Sequence, residues 1–315
     1  MQWWKLVGVV GRTMMRAGAV LLLFVIYQLW GTGLLTARDQ DRLRSSFDAR
    51  LAEVAPTDPT DDDTDAAPGD ELDGEVFTAP VDLVAPEPGQ PIARIDIPAI
   101  GSDFIMVQGV DLRWLQSGPG HFPQTPLPGQ PGNAAVAGHR TTWLAPFNRI
   151  DELEPGEPII VTTLQGRFVY RVDAHPTDDG GTTGHVIVGP DDISILDQTD
   201  VDRLTLMACH PKFSSAQRIV VTATLSTEAA APTPLPVVTD GVTTDASVDT
   251  LAGGDPDAWP GAIALSILTG GLWFGTWYLA RRWKKWPAYA IGTPIVLLSM
   301  FVTFTEIVRL LPAAY

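Results

Sequence analysis

Cys209 is the only cysteine among the 315 residues, and it closes the string Thr205-Leu206-Met207-Ala208-Cys209-His210-Pro211 at the end of a predicted strand. An exported chain with one thiol cannot form an internal disulfide. The thiol is then a small buried hydrophobe, a handle for another chain, or a nucleophile. A second string, Ala134-Ala135-Val136-Ala137-Gly138-His139-Arg140, reads as a small-residue strand ending in a histidine. An imidazole with a pKa of about 6.5 suits proton transfer. Arg218 stands nine residues after Cys209, at the start of the apolar run Arg218-Ile219-Val220-Val221. A guanidinium there favours a thiolate and donates hydrogen bonds to a developing oxyanion. Taken singly, each residue has a plainer reading as a buried thiol, a structural histidine or a salt-bridging arginine. Together they supply a nucleophile, an acid/base and an oxyanion donor, which is a complete acyl-transfer set.

The elements that must position these groups are mostly strands. Between residues 91 and 226, Ala93, Ile95 and Ile97 alternate with Arg94 and Asp96, as on a half-buried strand. Pro158–Leu164 and Arg167–Val172, joined through Gln165-Gly166, read as a hairpin. Further strands are expected at Phe104–Val107, Ala134–Ala137, His185–Val188, Arg203–Cys209 and Arg218–Leu225, with one helical stretch at Val110–Gln116. Many short strands with Gly/Pro turns argue for a mainly β barrel or sandwich.

The rest of the chain reads as anchors and spacers. Residues 1–16 carry Lys5, Arg12 and Arg16 ahead of an apolar span at 17–35, close to the ~20 residues a bilayer requires. Two more spans are expected at 259–280 and 287–311, separated by the basic loop 281–286. Both basic clusters put the N-terminus and that loop in the cytoplasm, and residues 36–258 outside. Residues 52–90 hold 12 Asp or Glu and residues 227–258 hold six, neither with any Lys or Arg. These segments exceed the whole net charge of −16, so 36–90 and 227–258 are expected to be acidic disordered tethers. Nothing resembles a basic nucleic-acid surface.

The ordered set Gly132–Arg140 (GNAAVAGHR), Thr205-Leu206-x-x-Cys209 and Arg218 resembles the signature blocks of the sortases. Gly118–Pro123 (GPGHFP), AGHRTTW with Ala145–Arg149 (APFNR), and Cys209–Arg218 (CHPKFSSAQR) are most similar to class E, the actinobacterial type. The resemblance implies an eight-stranded sortase β-barrel at 91–226 with short helices, flanked by transmembrane helices. It implies a membrane-bound cysteine transpeptidase that cleaves a Thr–Gly bond in an LPXTG- or LAXTG-like signal on secreted proteins. Cys209 would be the nucleophile, His139 the general acid/base and Arg218 the oxyanion stabiliser. An amine of a peptidoglycan precursor would resolve the thioester.

Thr141, Ala208, His210 and His121 are the expected substrate-binding residues. Ala208 stands where the family has threonine, which removes a hydroxyl. No cofactor is expected. A Ca²⁺ site built from His175, Asp178, Asp179 and His185 is conceivable, but no carboxylate spacing compels it. Three alternatives stand beside anchoring: a pilin polymerase, a thiol hydrolase and an inactive tethered binding module. The polymerase lid motif finds only Asp58-Pro59-Thr60, without its aromatic residue.

Overall fold

The computed structural model describes residues 3–54, 85–233, 255–283 and 285–311. Contacts divide the chain into two compact units, Met1–Gly33 with Gly253–Leu311, and a second built on Leu34–Ala252.

The second unit is a closed barrel. Its strands are β1 (Pro91–Ile97), β2 (Ser102–Gln108), β3 (Gly120–His121), β4 (Asn133–Ala137), β5 (Pro158–Thr163), β6 (Gly166–Val172), β7 (His175–Pro176), β8 (Thr182–Thr183), β9 (Val186–Val188), β10 (Arg203–His210) and β11 (Gln217–Leu225). Pairing runs β10-β4-β3-β2-β1-β5-β6-β11, and β11 pairs back onto β10, so eight strands close the ring. The ninth member of the sheet, β9, fills the edge of β11 at Arg218–Val220, since β6 holds only Ala223–Leu225. The residues β7 and β8 form a separate small hairpin.

The expected alternation holds. Ala93, Ile95 and Ile97 enter the main core with Val161, Phe168, Leu204, Leu206, Ile219 and Val221. A smaller apolar cluster, with Val110, Leu115, Phe122, Ala135, Ala137, Met207 and Val220, covers the other face of the β4-β10-β11 wall. Leu115 belongs to a one-turn helix, α3 (Leu112–Leu115), inside the stretch expected to be helical.

The first part of the tether expected from residue 36 is helical instead. Helix α1 (Trp3–Ile26) runs through a π-helical turn, Tyr27–Gly31, into α2 (Thr32–Val54). From Leu34 onward α2 belongs to the barrel unit. Thr36, Gln40, Leu43, Phe47 and Leu51 recur at helical spacing, and Phe47 packs on Ile105 and Leu164 with Leu43 and Leu51 beside it. Gln40 does the work of a neighbouring strand. Its Oε1 accepts from the Ile105 N–H (2.8 Å), and its Nε2 donates to the carbonyls of Ile105 (2.9 Å) and Ser117 (2.7 Å). Backbone groups that would otherwise be left open on β2 are thereby satisfied. Of the two expected tethers, residues 55–84 and 234–254 lie outside the described residues, as does the Asp58-Pro59-Thr60 string.

In the other unit, α4 (Trp259–Arg282) and α5 (Lys285–Arg309) form a pair tied by Thr269 to Ser299 (2.6 Å) and to Thr303 (2.8 Å). Phe24 and Tyr27 set their rings edge-on to Phe304 and Phe301, with centroids 5.1 and 5.0 Å apart. The three helices containing these residues are each long and apolar enough to cross a membrane.

Candidate active site

Strand register brings the three candidate residues together. Along the β10–β11 pair, Cys209 lies directly opposite Arg218. On the other side, β4 runs parallel to β10 with Ala137 beside Met207, and Gly138 N–H donates to the Met207 carbonyl (3.0 Å). His139 thus leaves β4 level with the end of β10. Gly138 is required for this approach, because a Cβ there would stand 2.5 Å from the Phe147 ring. One cleft is lined by Leu115, Ala137, Gly138, His139, Met207, Ala208, Cys209 and Arg218. Its enclosed part measures about 20 Å³, room for roughly one water. Anything much larger than a water must therefore lie across its mouth.

Burial dominates the electrostatics. Desolvation pushes the Cys209 thiol above its ordinary range, while the positive charges of Arg218 and then Arg140 pull it back. Arg218 is itself buried, and its Nη1 donates to the carbonyls of Ser215 (2.9 Å) and Gln217 (3.1 Å). Both bonds fall on one nitrogen, so Nε and Nη2 keep their donors for the cleft.

The loop after β4 is held in a costly shape. Trp143, Leu144 and Ala145 all adopt left-handed conformations, with φ of 55°, 61° and 45°. Such a backbone costs of order 1–3 kcal/mol at each residue and persists only where its surroundings enforce it. Here the Phe147 N–H donates to the His139 carbonyl (3.1 Å) and Asn148 Nδ2 to the Arg140 carbonyl (2.7 Å). The Trp143 ring lies 6.5 Å from that of His139. The strain is thus stored beside the acid/base candidate, whose backbone it fixes.

The expected substrate-binding residues divide. Ala208 borders the cleft, but its methyl belongs to the main barrel core, on the opposite face of β10 from Cys209. A hydroxyl at this position would point into the barrel, which corrects the reading that alanine removes a group from the site. Thr141 does not line the cleft, and its Oγ1 is buried without a hydrogen-bond partner. His210 ends β10 and its Nδ1 accepts from Arg140 (3.1 Å). Burial and the Arg140 charge hold its pKa below the usual histidine range.

His121 is a core histidine rather than a groove residue. It is buried on β3, with Nδ1 bonded to Gln108 Oε1 (2.8 Å) and Nε2 to the Pro126 carbonyl (2.8 Å). Desolvation lowers its pKa to about 4. Among the described residues no group of three or more His, Cys, Asp or Glu is placed to hold a metal. His175 bonds instead to Thr222 (3.1 Å) and His185 to Thr183 (3.1 Å).

Two residues that the sequence reading passed over join the site. Arg140, the residue after His139, reaches beneath the Cys209 main chain, and Asp151 pairs with it at 2.8 Å. The adjacency of Arg140 to His139 was the available signal; Asp151 carried none.

Comparison with known proteins agrees over the barrel. Residues 95–226 match the Sortase domain family. Sortase SrtE1 of Streptomyces coelicolor is 27% identical over 227 residues, covering 67% of this chain and 55% of that protein. Sortase D of Bacillus subtilis is 32% identical over 127 residues, covering 40% of this chain and 58% of that protein. The chain thus spans little more than half the length of these two relatives. Among solved structures, the SrtF sortase from Corynebacterium diphtheriae is 32% identical over 52% of this chain and 96% of that one, with a TM-score of 0.42.

Proposed function

The chain belongs to the sortase family through residues 95–226, and from this premise we propose that it is a membrane-anchored cysteine transpeptidase acting on sorting signals of secreted proteins. The observation that carries the reading is the convergence of Cys209, His139 and Arg218 on one cleft, from the ends of three laterally paired strands. In the first step Cys209 passes its thiol proton to His139, and Sγ bonds to the carbonyl carbon of the Thr–Gly peptide. The carbonyl electron pair moves to oxygen, where Arg218 donates hydrogen bonds to it. As the intermediate collapses, the C–N bond breaks, His139 gives the leaving amine a proton, and a thioester remains. In the second step an acceptor amine attacks that carbon, its surplus proton passes through His139 to the departing sulfur, and the C–S bond breaks to release the Cys209 thiol.

The class E character of the AGHRTTW and CHPKFSSAQR strings supports a peptidoglycan-precursor amine as acceptor and a Leu-x-x-Thr-Gly type donor, including the Leu-Ala-x-Thr-Gly form. Three long apolar helices and two basic clusters support membrane association, with the barrel outside and Arg281–Lys285 inside.

Incubating the protein with Leu-x-x-Thr-Gly peptides and several amines, then weighing the products, tests the reading. The expected result is a thioester adduct on Cys209, product formation that rises with amine, and no adduct in Cys209→Ala. Undiminished turnover by Cys209→Ala would sink the mechanism, and amine-independent release would reassign the protein as a hydrolase.

A further inference from the structure

Arg140 is the most deeply buried cation beside the nucleophile that the reaction itself does not use. Its side chain is 2% exposed, whereas that of its ion-pair partner Asp151 is 37% exposed. A guanidinium taken out of water needs compensation, and a buried ion pair is a weak way to gain stability alone. Its hydrogen bonds show what it holds. Nη1 donates to the carbonyl of Cys209 (3.3 Å) and to Nδ1 of His210 (3.1 Å), while Nη2 meets Asp151 Oδ1 (2.8 Å). The bond to Nδ1 requires a neutral His210 ring with its proton on Nε2.

We propose that Arg140 is a positioning residue for the reaction: it locks the peptide plane of Cys209 to the strand end that carries His139, and it places a second positive charge beside the sulfur. The inference deepens the transpeptidase reading and rests on it for the reaction, though not for the thiol chemistry.

The geometry supports both halves. Arg140 follows His139 directly, and its own carbonyl is held by Asn148 Nδ2 (2.7 Å). Its main chain is therefore fixed to the loop that fixes His139, and its side chain grips the carbonyl of Cys209. Displacing the nucleophile relative to its acid/base by about 1 Å is enough to cost on the order of 100-fold in rate. The charged and titratable neighbours begin with His139, adjacent to Arg140 in the chain and in the same cleft as Cys209. From β10 and the loop beyond it they are Cys209, His210 and Lys212, whose Nζ lies 4.0 Å from Asp151; from the turn 150–152, Asp151; from β11, Arg218; and ahead of β9, His185. Asp151 is the one anion in the set. Burial opposes its ionisation, but Arg140 and Lys212 hold its carboxyl below the usual range. It both aims Arg140 and offsets part of its charge.

Because Cys209 is the only cysteine, alkylation of the full chain in detergent by iodoacetamide reports this thiol alone. The experiment measures the alkylation rate against pH, together with kcat and KM, for Arg140→Gln, Arg140→Lys and Asp151→Asn. For Arg140→Gln, losing the nearby cation should raise the alkylation midpoint by about one pH unit. Its kcat should fall on the order of 10- to 100-fold, with KM within about twofold. Arg140→Lys should restore the midpoint and recover only part of kcat, since an ammonium cannot reproduce the guanidinium fork. Asp151→Asn should move the midpoint the other way, downward, while still lowering kcat.

The sign separates this role from simple support. A site merely loosened by Arg140→Gln would let water reach the thiol and lower the midpoint, and that result, or an unchanged midpoint with unchanged kcat, overturns the proposal. Should Arg140→Gln not fold, Arg140→Lys and Asp151→Asn decide: equal midpoints in the two overturn it. A wild-type chain that turns over no sorting peptide would refute the transpeptidase reading, while the alkylation profiles would still judge Arg140.

Discussion

The two faces of one strand, β10, carry different obligations. Toward the barrel axis it presents Leu204, Leu206 and Ala208, which pack with Ile219, Val221 and the β1 side chains. Away from the axis it presents Thr205, Met207 and Cys209. Thr205 donates to Asn133 (2.7 Å), Met207 joins the smaller cluster, and Cys209 opens on the cleft. Both faces are largely buried, so exposure does not distinguish them. What differs is the partner: close-packed apolar side chains on one side, and on the other a layer of single strand-ends and turns that also carry Arg218 and His139. The inner face makes the barrel, and the outer face uses its rigidity to hold three chemical groups in register.

If that division is right, substitutions on the outer face should remove activity while leaving the fold. Arg218→Ala should lower kcat/KM about 10²- to 10³-fold, the usual loss for one oxyanion donor, with the far-UV spectrum unchanged. A drop matched by an equal loss of folded protein would erase the distinction between the faces. On the inner face, Leu206→Ala should cost about 3 kcal/mol in denaturant unfolding, from lost transfer energy and the cavity left behind. Activity per folded molecule should be close to wild type, since Leu206 faces away from the cleft.

The same division explains what the sequence disclosed. Strands β1, β5, β6, β10 and β11 were legible because a wall with a dry interior imposes a period of two. The candidate trio was legible because a cysteine, a histidine and an arginine each ended or began such a strand. Helix α2 was missed because average composition across 36–90 is acidic and polar. The stripe of Thr36, Gln40, Leu43, Phe47 and Leu51 occupies only one face and is diluted by its neighbours. Strand β3 is too short to show any period. His121 was placed in the groove because it lies in the family-like string Gly118–Pro123; its burial rests on bonds to Gln108 and Pro126 that the string itself does not encode.

His121 gives a pH test of that correction. Its pKa is about 4 in the fold against about 6.5 in an unfolded chain, so the unfolded state binds more protons between these values. The stability this histidine supports is therefore present at neutral pH and lost as pH falls from about 6.5 toward 4. Between pH 7 and pH 5 the expected loss from this residue is about 2 kcal/mol. His121→Gln should flatten that part of the stability–pH curve. A curve of unchanged slope in the variant would return His121 to the groove.

The smallest effect should come from α2, and it bears on how far the rigid outer layer extends. Thr36 Oγ1 donates to the Gln116 carbonyl (2.9 Å) and Gln40 Nε2 to that of Ser117 (2.7 Å). These two carbonyls directly follow Leu115, which lines the cleft. Helix α2 thus supports the turn that forms one side of the cleft. Thr36→Val keeps the side-chain shape and removes the neutral hydrogen bond to Gln116, a loss of about 1 kcal/mol of stability. Hydrogen exchange should quicken first at Leu115–Ser117, ahead of any change in β10, because the bond from Thr36 to the Gln116 carbonyl is lost there. Uniform acceleration across the barrel would instead mean that α2 acts on the whole core, and that the outer layer is not a separately held element.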